Sequence, residues 1–96
     1  MRTPEEYDRV RAVVARVIHD WDPYGLLELG APADEFDAEI TAVLSQVPRI
    51  RSADDAAGVI SEVFTAAFEP NGFTPEDCAD VGRRLFRALR EAGVLM

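Results

Sequence analysis

The feature that most constrains this chain is a set of four stretches in which apolar residues recur at spacings of three and four. The first stretch carries its apolar stripe at Tyr7, Val10, Val14, Val17 and Trp21. Such spacing is typical of one face of a helix, whereas a half-buried strand would alternate apolar and polar residues. The pattern therefore predicts an all-α protein. The predicted helices span residues 4–20, 34–47, 53–68 and 75–92.

Residues that favour helix starts stand at the head of each stretch. Residues 3–6 read Thr-Pro-Glu-Glu and residues 74–77 read Thr-Pro-Glu-Asp, the pattern of a capped start with Pro in the first turn. Ser52 is placed to cap the third helix, and Asp34 the second. Short connections favour antiparallel neighbours. We therefore expect one domain, residues 1–96, folded as a compact antiparallel four-helix bundle.

The connection between the first two helices differs from the others. Residues 21–33 are a long segment that contains two Pro and two Gly, yet also Leu26, Leu27 and Leu29. A solvated linker would not carry three leucines, so we expect this loop to pack on the bundle with one helical turn. Long packed loops often carry function.

The charge of the chain is strongly negative and unevenly distributed. The formal net charge is −8, and residues 20–48 contain seven acids and no base. All ten basic residues are Arg, with a cluster on the last helix. A nucleic-acid binder needs a basic face that displaces counterions, so we expect no nucleic-acid partner. The acidic stretch predicts attraction to a basic protein instead.

The sequence also bears on location. No apolar run approaches the ~18 residues of a membrane span. The N-terminal residues are acidic where a signal peptide would turn apolar. Cys78 is the single cysteine, which is consistent with a reducing compartment. We expect a cytoplasmic protein with no membrane partner.

One segment partly resembles a calcium loop. Asp20, Asp22 and Glu28 fall at positions 1, 3 and 9 of an EF-hand pattern, with Gly25 at position 6. Position 12, which supplies the bidentate carboxylate in such loops, is Ala31. The competing interpretation, which we favour, is a helix end followed by a Pro-Gly turn.

Two residues are candidates for catalysis. His19 is the single histidine, but a position near the end of the first helix explains it, because the helix dipole favours a cation there. Cys78 lies on the apolar stripe of the fourth helix among acids, which indicates a buried and inert thiol. No phosphate-binding glycine loop is present. We therefore predict no catalytic residue, no cofactor and no enzymatic activity.

The last helix carries the most interesting surface pattern. Arg83, Arg87 and Arg90 lie at helical spacing with Arg84 beside them, and Phe86 falls one step off the apolar stripe. One interpretation is a solvated face with cations near a helix C-terminus, which is the more common case. The other is an aromatic-plus-arginine patch that contacts an anion or an acidic partner.

A family resemblance rests mainly on residues 18–40. Residues 18–27 read Ile-His-Asp-Trp-Asp-Pro-Tyr-Gly-Leu-Leu, and residues 30–40 read Gly-Ala-Pro-Ala-Asp-Glu-Phe-Asp-Ala-Glu-Ile. This pattern resembles the YugE-like family of small acidic helical bacterial proteins of unassigned function, although Phe36 stands where a Tyr is expected. The resemblance implies a helical fold and a cytoplasmic location, and it assigns no catalytic residue.

Three functional hypotheses follow. The first is a non-catalytic protein-interaction module, and self-association as a homodimer is a separate alternative. The second is an immunity or antitoxin protein that neutralises a basic toxin or nuclease. The third is a weak metal- or ligand-binding regulator. The candidate interaction residues are Asp20, Trp21, Asp22, Tyr24, Glu28, Asp34, Glu35, Arg83, Phe86, Arg87 and Arg90.

Overall fold

Over the residues that the structure describes, the chain forms four α-helices, which confirms the all-α prediction. A computed structural model describes residues 3–25, 27–32, 34–68 and 73–94, with no strand among them. The helices are α1 (Pro4–Trp21), α2 (Asp37–Gln46), α3 (Ala53–Ala67) and α4 (Ala79–Glu91). Short 3₁₀ turns cover Pro23–Gly25 and Val47–Arg49. Within the described ranges, no helix combines the length and apolar character needed to cross a bilayer.

The helices enclose one hydrophobic core. Helix α1 packs against α2 and α4, and α3 packs against the same two helices. The largest fully buried side chains are Phe36, Phe64, Ile18, Ile40, Leu44, Ile60, Leu85, Leu89, Val10, Val14, Val43 and Val81. The radius of gyration is 12.6 Å, close to the ~12.5 Å that a compact chain of this length should have.

Hydrogen bonds confirm two of the predicted caps. The hydroxyl of Thr3 accepts from the Glu6 amide at 3.1 Å, and the hydroxyl of Ser52 accepts from the Asp55 amide at 3.0 Å. The carboxylate of Asp55 in turn accepts from the Arg51 amide at 3.0 Å. Amides that would otherwise lack partners at the starts of α1 and α3 are thereby satisfied.

The prediction that Asp34 caps α2 is wrong. Helix α2 begins at Asp37, and its N-cap residue is Phe36, which makes no side-chain capping bond. The amide of Asp37 donates instead to the Asp34 carbonyl, and the Glu35 amide donates to the Pro32 carbonyl, both at 3.0 Å. These two turns satisfy the backbone ahead of the helix, and the fully buried Phe36 side chain anchors the helix start in the core.

Thr74 does cap, but the regular helix starts later than predicted. The Thr74 hydroxyl accepts from the Asp77 amide at 3.1 Å, and the Thr74 amide donates to the Asp77 carboxylate at 3.4 Å. One turn closes there, and the Ala79 amide then bonds three residues back to Glu76 at 3.2 Å. This tighter bond interrupts the ladder, so α4 runs from Ala79 with Cys78 as its N-cap.

A cluster of aromatic rings joins α1, α3 and the segments before α2 and α4. The Phe64 ring lies at its centre, with centroid distances of 5.0 Å to Trp21, 5.6 Å to Phe73, 5.8 Å to Phe68 and 6.2 Å to Phe36. These separations are in the range where aromatic pairs attract beyond simple burial. The cluster therefore fixes how the loops enter the core.

Candidate functional site

Asp22 holds the loop between α1 and α2 in place. It ends α1 in the left-handed conformation, with φ of 44°. Its carboxylate accepts from the Leu27 amide at 2.9 Å and from the Glu28 amide at 3.1 Å. Its carbonyl accepts from the Gly25 amide at 2.8 Å, which closes the expected helical turn. This acid is therefore committed to the fold, because both carboxylate oxygens serve backbone donors.

The leucines of this loop do not behave alike. Leu27 packs against the core as predicted. Leu29 is 82% exposed, so the prediction that it packs is wrong. Its amide donates to the Gly25 carbonyl at 3.0 Å, and the Gly30 amide donates to Leu27 at 3.1 Å, so a hydrogen-bonded turn directs this residue outward. Leu26 lies outside the described residues.

The other candidates of this loop separate in the structure. Trp21 packs in the aromatic cluster, while Asp20 and Glu28 are exposed. The side chain of Tyr24 lies outside what the structure describes. In the described part of the chain, no three His, Cys, Asp or Glu residues come together as a metal-holding group. The calcium-like spacing therefore does not produce a converging set of ligands there.

Cys78 is buried in the core, and His19 is half-buried. His19 lies in the last turn of α1, as predicted, and its Nε2 is buried without a hydrogen-bond partner among the described residues. Cys78 is fully buried. Burial, with a smaller contribution from the nearby Asp77 charge, raises the pKa of the Cys78 thiol to about 11. The thiol is therefore protonated at neutral pH and is a poor nucleophile.

The exposed acids of the predicted interaction set lie before α2. Asp34 and Glu35 are exposed, and neither side chain makes an ion pair within the described ranges. Their neighbour Asp37 is engaged, since its carboxylate lies 3.7 Å from the Arg11 guanidinium. Arg11 also donates to the Thr41 hydroxyl at 2.9 Å, which links α1 to α2.

The structure brings the predicted arginines and Phe86 into one open groove on α4. We call this the arginine groove. Its volume is about 480 Å³, within the ~300–1,000 Å³ typical of binding sites. The groove is lined by Ala53, Arg83, Phe86, Arg87, Arg90 and Glu91. Phe86 is half-buried, and the guanidinium carbon of Arg90 lies 5.6 Å from its ring centroid, a cation–π distance.

Two of the groove's cations have no carboxylate partner among the described residues. Arg83 lies 3.4 Å from Asp80 in an exposed ion pair, a kind that contributes little to stability. Arg87 and Arg90 make no ion pair in the ranges that the structure describes, although the chain has 18 acids for 10 bases. Both side chains are exposed. The groove therefore presents unneutralised cations on a chain with excess acid.

Two groove residues, Ala53 and Glu91, were not predicted from the sequence. Glu91 lies four residues after Arg87, so helical spacing alone could have included it. Ala53 belongs to the start of α3, and its position depends on how α3 packs against α4. No local sequence pattern signals that approach. Arg84 is half-buried and does not line the groove.

Comparison with known proteins gives one family match. Residues 13–94 match the model of a protein family described as a domain of unknown function (DUF1871). The match includes residues 18–40. No curated protein and no solved structure matches the chain.

Proposed function

We propose that this chain, which belongs to the DUF1871 family of unknown function, is a non-catalytic protein-interaction module that contacts its partner through the arginine groove. The observation that carries the proposal is that Arg87 and Arg90, beside Phe86, are exposed and form no ion pair with any residue that the structure describes. Arginine and aromatic residues are enriched where proteins bind one another, and they dominate the binding energy there.

A non-catalytic role is supported by the state of the reactive residues. The only thiol is buried and protonated at neutral pH, and the Asp22 carboxylate is occupied by two backbone amides. A free cysteine also supports our proposal of a cytoplasmic location, where thiols stay reduced. We also propose that this chain is a YugE-like member of the family, because residues 18–40 resemble the pattern of those proteins.

Site-specific photo-crosslinking in living cells tests this function. A photoreactive amino acid is placed at Arg83, inside the arginine groove, and separately at Leu29, the exposed loop residue. We expect a discrete adduct with another protein from position 83 that disappears when R87E and R90E are added. Absence of an adduct from position 83, or identical adducts from both positions, would contradict the proposed contact surface.

A second candidate function uses the acidic surface. Asp20, Glu28, Asp34 and Glu35 are exposed, and their carboxylates form no ion pair among the described residues. Exposed acids of this kind steer a basic partner, as an immunity protein does with a basic toxin or nuclease. In this case the adduct would form from position 29 and not from position 83.

Co-expression tests the second candidate directly. A basic protein encoded beside this gene should arrest growth when expressed alone, and the chain should relieve that arrest. The D34N/E35Q variant should lose the protection, while R87E/R90E should keep it. Failure to protect against any such neighbour would exclude an immunity role. Sedimentation of the purified chain separates either function from self-association as a homodimer.

A further inference from the structure

We infer that the arginine groove binds a short acidic segment of the partner protein, with carboxylates on Arg87 and Arg90 and an apolar side chain against Phe86. This inference rests on the proposed function and specifies the chemistry of the partner. The planar guanidinium donates two parallel hydrogen bonds to a carboxylate, a geometry that a lysine lacks. The chain supplies Arg at every basic position.

The spacing of the groove residues fits such a segment. Arg87 and Arg90 are three residues apart on α4, so their Cβ atoms are ~5–6 Å apart. In an extended peptide, side chains two residues apart share a face at a separation of ~6.7 Å. Two acids separated by one residue can therefore meet both guanidinium groups. The arginine side chains span the remaining difference, because they are long and exposed.

Arg90 is partly organised before any partner arrives. Its guanidinium lies over the Phe86 ring, 5.6 Å from the centroid, and Phe86 itself packs against the core. A side chain that is already restrained loses less entropy when it binds. The half-buried Phe86 ring, which lines the groove, then offers an apolar contact beside the charged pair.

Flanking acids limit the length of anion that the groove accepts. Asp80 pairs with Arg83 at one end, and Glu91 lines the other end. The chain as a whole carries a net charge of −8. A long polyanion such as nucleic acid would extend past the arginines onto these negative surfaces and be repelled. A short segment with two carboxylates would contact only the arginines and would not reach these negative surfaces.

Fluorescence polarisation with synthetic peptides tests the inference on the intact chain. The probe is a fluorescein-labelled peptide containing Glu-Leu-Glu, and its control contains Gln-Leu-Gln. We expect binding of the Glu peptide only, weakened about tenfold or more by R87E/R90E and less by R87K/R90K, which keeps the charge without the fork. The matched control is R9E/R16E, which makes the same change of charge at exposed positions on α1.

Three outcomes of this binding experiment would overturn the inference. Equal losses in R87E/R90E and R9E/R16E would show attraction to net charge and no specific groove. Competition by inorganic phosphate at the peptide's own effective concentration would indicate a simple anion site. No binding of the Glu peptide at millimolar concentration would reject an acidic ligand. In that last case, an adduct from position 83 would still support the proposed function, so the two failures are distinguishable.

Discussion

At the scale of single residues, Asp22 determines the course of the loop that follows α1. Its backbone adopts φ of 44°, a left-handed conformation that Asp and Asn tolerate better than most residues with a Cβ. Its carboxylate also receives the amides of Leu27 and Glu28. The same residue thus reverses the chain and fixes the next turn, which explains an acid that had been a candidate ligand.

Replacing Asp22 should destabilise the protein without any change in the arginine groove. We expect D22A to lower the free energy of unfolding by roughly 2–3 kcal/mol, because it loses two hydrogen bonds and strains the left-handed turn. D22G should lose less, since Gly relieves the strain. Asp20 is exposed near the C-terminal end of α1, where the helix dipole disfavours an acid. D20A should therefore change the free energy of unfolding by no more than about 0.5 kcal/mol. Urea unfolding followed by Trp21 fluorescence measures all three. Equal stability of D22A and D20A would contradict the role of the carboxylate.

The raised pKa of the Cys78 thiol predicts that the protein loses stability at alkaline pH. Its pKa is raised from 9.0 to about 11 in the folded chain. The unfolded state therefore ionises first, so the contribution of this thiol is complete below pH 9.0 and disappears as the pH rises toward about 11. The full effect is of the order of 2–3 kcal/mol. Urea unfolding of the parent and of C78A across this range isolates it, because C78A lacks this titration. Parallel pH profiles would show that Cys78 is not protected by burial.

At the scale of elements, the packing of α3 against α4 depends on one glycine. A Cβ added to Gly82 would lie 2.7 Å from the Ala57 backbone nitrogen, closer than side-chain carbons approach. Because the obstacle is backbone, the two helices would have to separate. Ala53 at the start of α3 lines the arginine groove, so the same contact shapes the candidate site.

A pair of Gly→Ala substitutions tests this contact. We expect G82A to cost roughly 1–3 kcal/mol through overpacking, despite the better helix propensity of Ala. G58A is the matched control, since it lies in α3 with nothing within 4 Å of the added Cβ. It should stabilise the protein by up to about 1 kcal/mol. Thermal unfolding followed by circular dichroism compares the two. A stabilising G82A would mean that the helices have room to spare.

Features that depend on neighbouring residues in the sequence were predicted correctly, whereas features that depend on tertiary contacts were not. The hydroxyl caps at Thr3, Ser52 and Thr74 all form, because each bond spans only three residues. The start of α2 was misplaced because a tertiary contact, the burial of Phe36, overrides the local capping signal of Asp34. Likewise, the sequence predicted the arginines on one face of a helix, but it did not predict the groove, because Ala53, which also lines it, belongs to α3.

At the scale of the whole molecule, folding and the proposed recognition involve different parts of the chain. The aromatic cluster around Phe64 is internal and draws on α1, α3 and the loops. Arg87 and Arg90, which form no ion pair within the described part of the chain, lie exposed on α4. Phe86 touches both, because one side packs against the core and the other lines the arginine groove. This division allows the two roles to be separated experimentally.

Two Phe→Ala substitutions should therefore separate stability from binding, because one lowers mainly the stability and the other lowers mainly the affinity for the peptide. F64A removes a fully buried ring and should cost ~3–5 kcal/mol, a large share of the ~5–15 kcal/mol that stabilises most domains. F86A removes a half-buried ring and should cost about 1 kcal/mol, yet it should weaken binding of the Glu-Leu-Glu peptide several-fold because Arg90 loses its support. Urea unfolding and fluorescence polarisation on the same samples give both quantities. If F86A lost as much stability as F64A and bound the peptide normally, the Phe86 ring would belong to the core, and the aromatic part of the arginine groove would have no role in recognition.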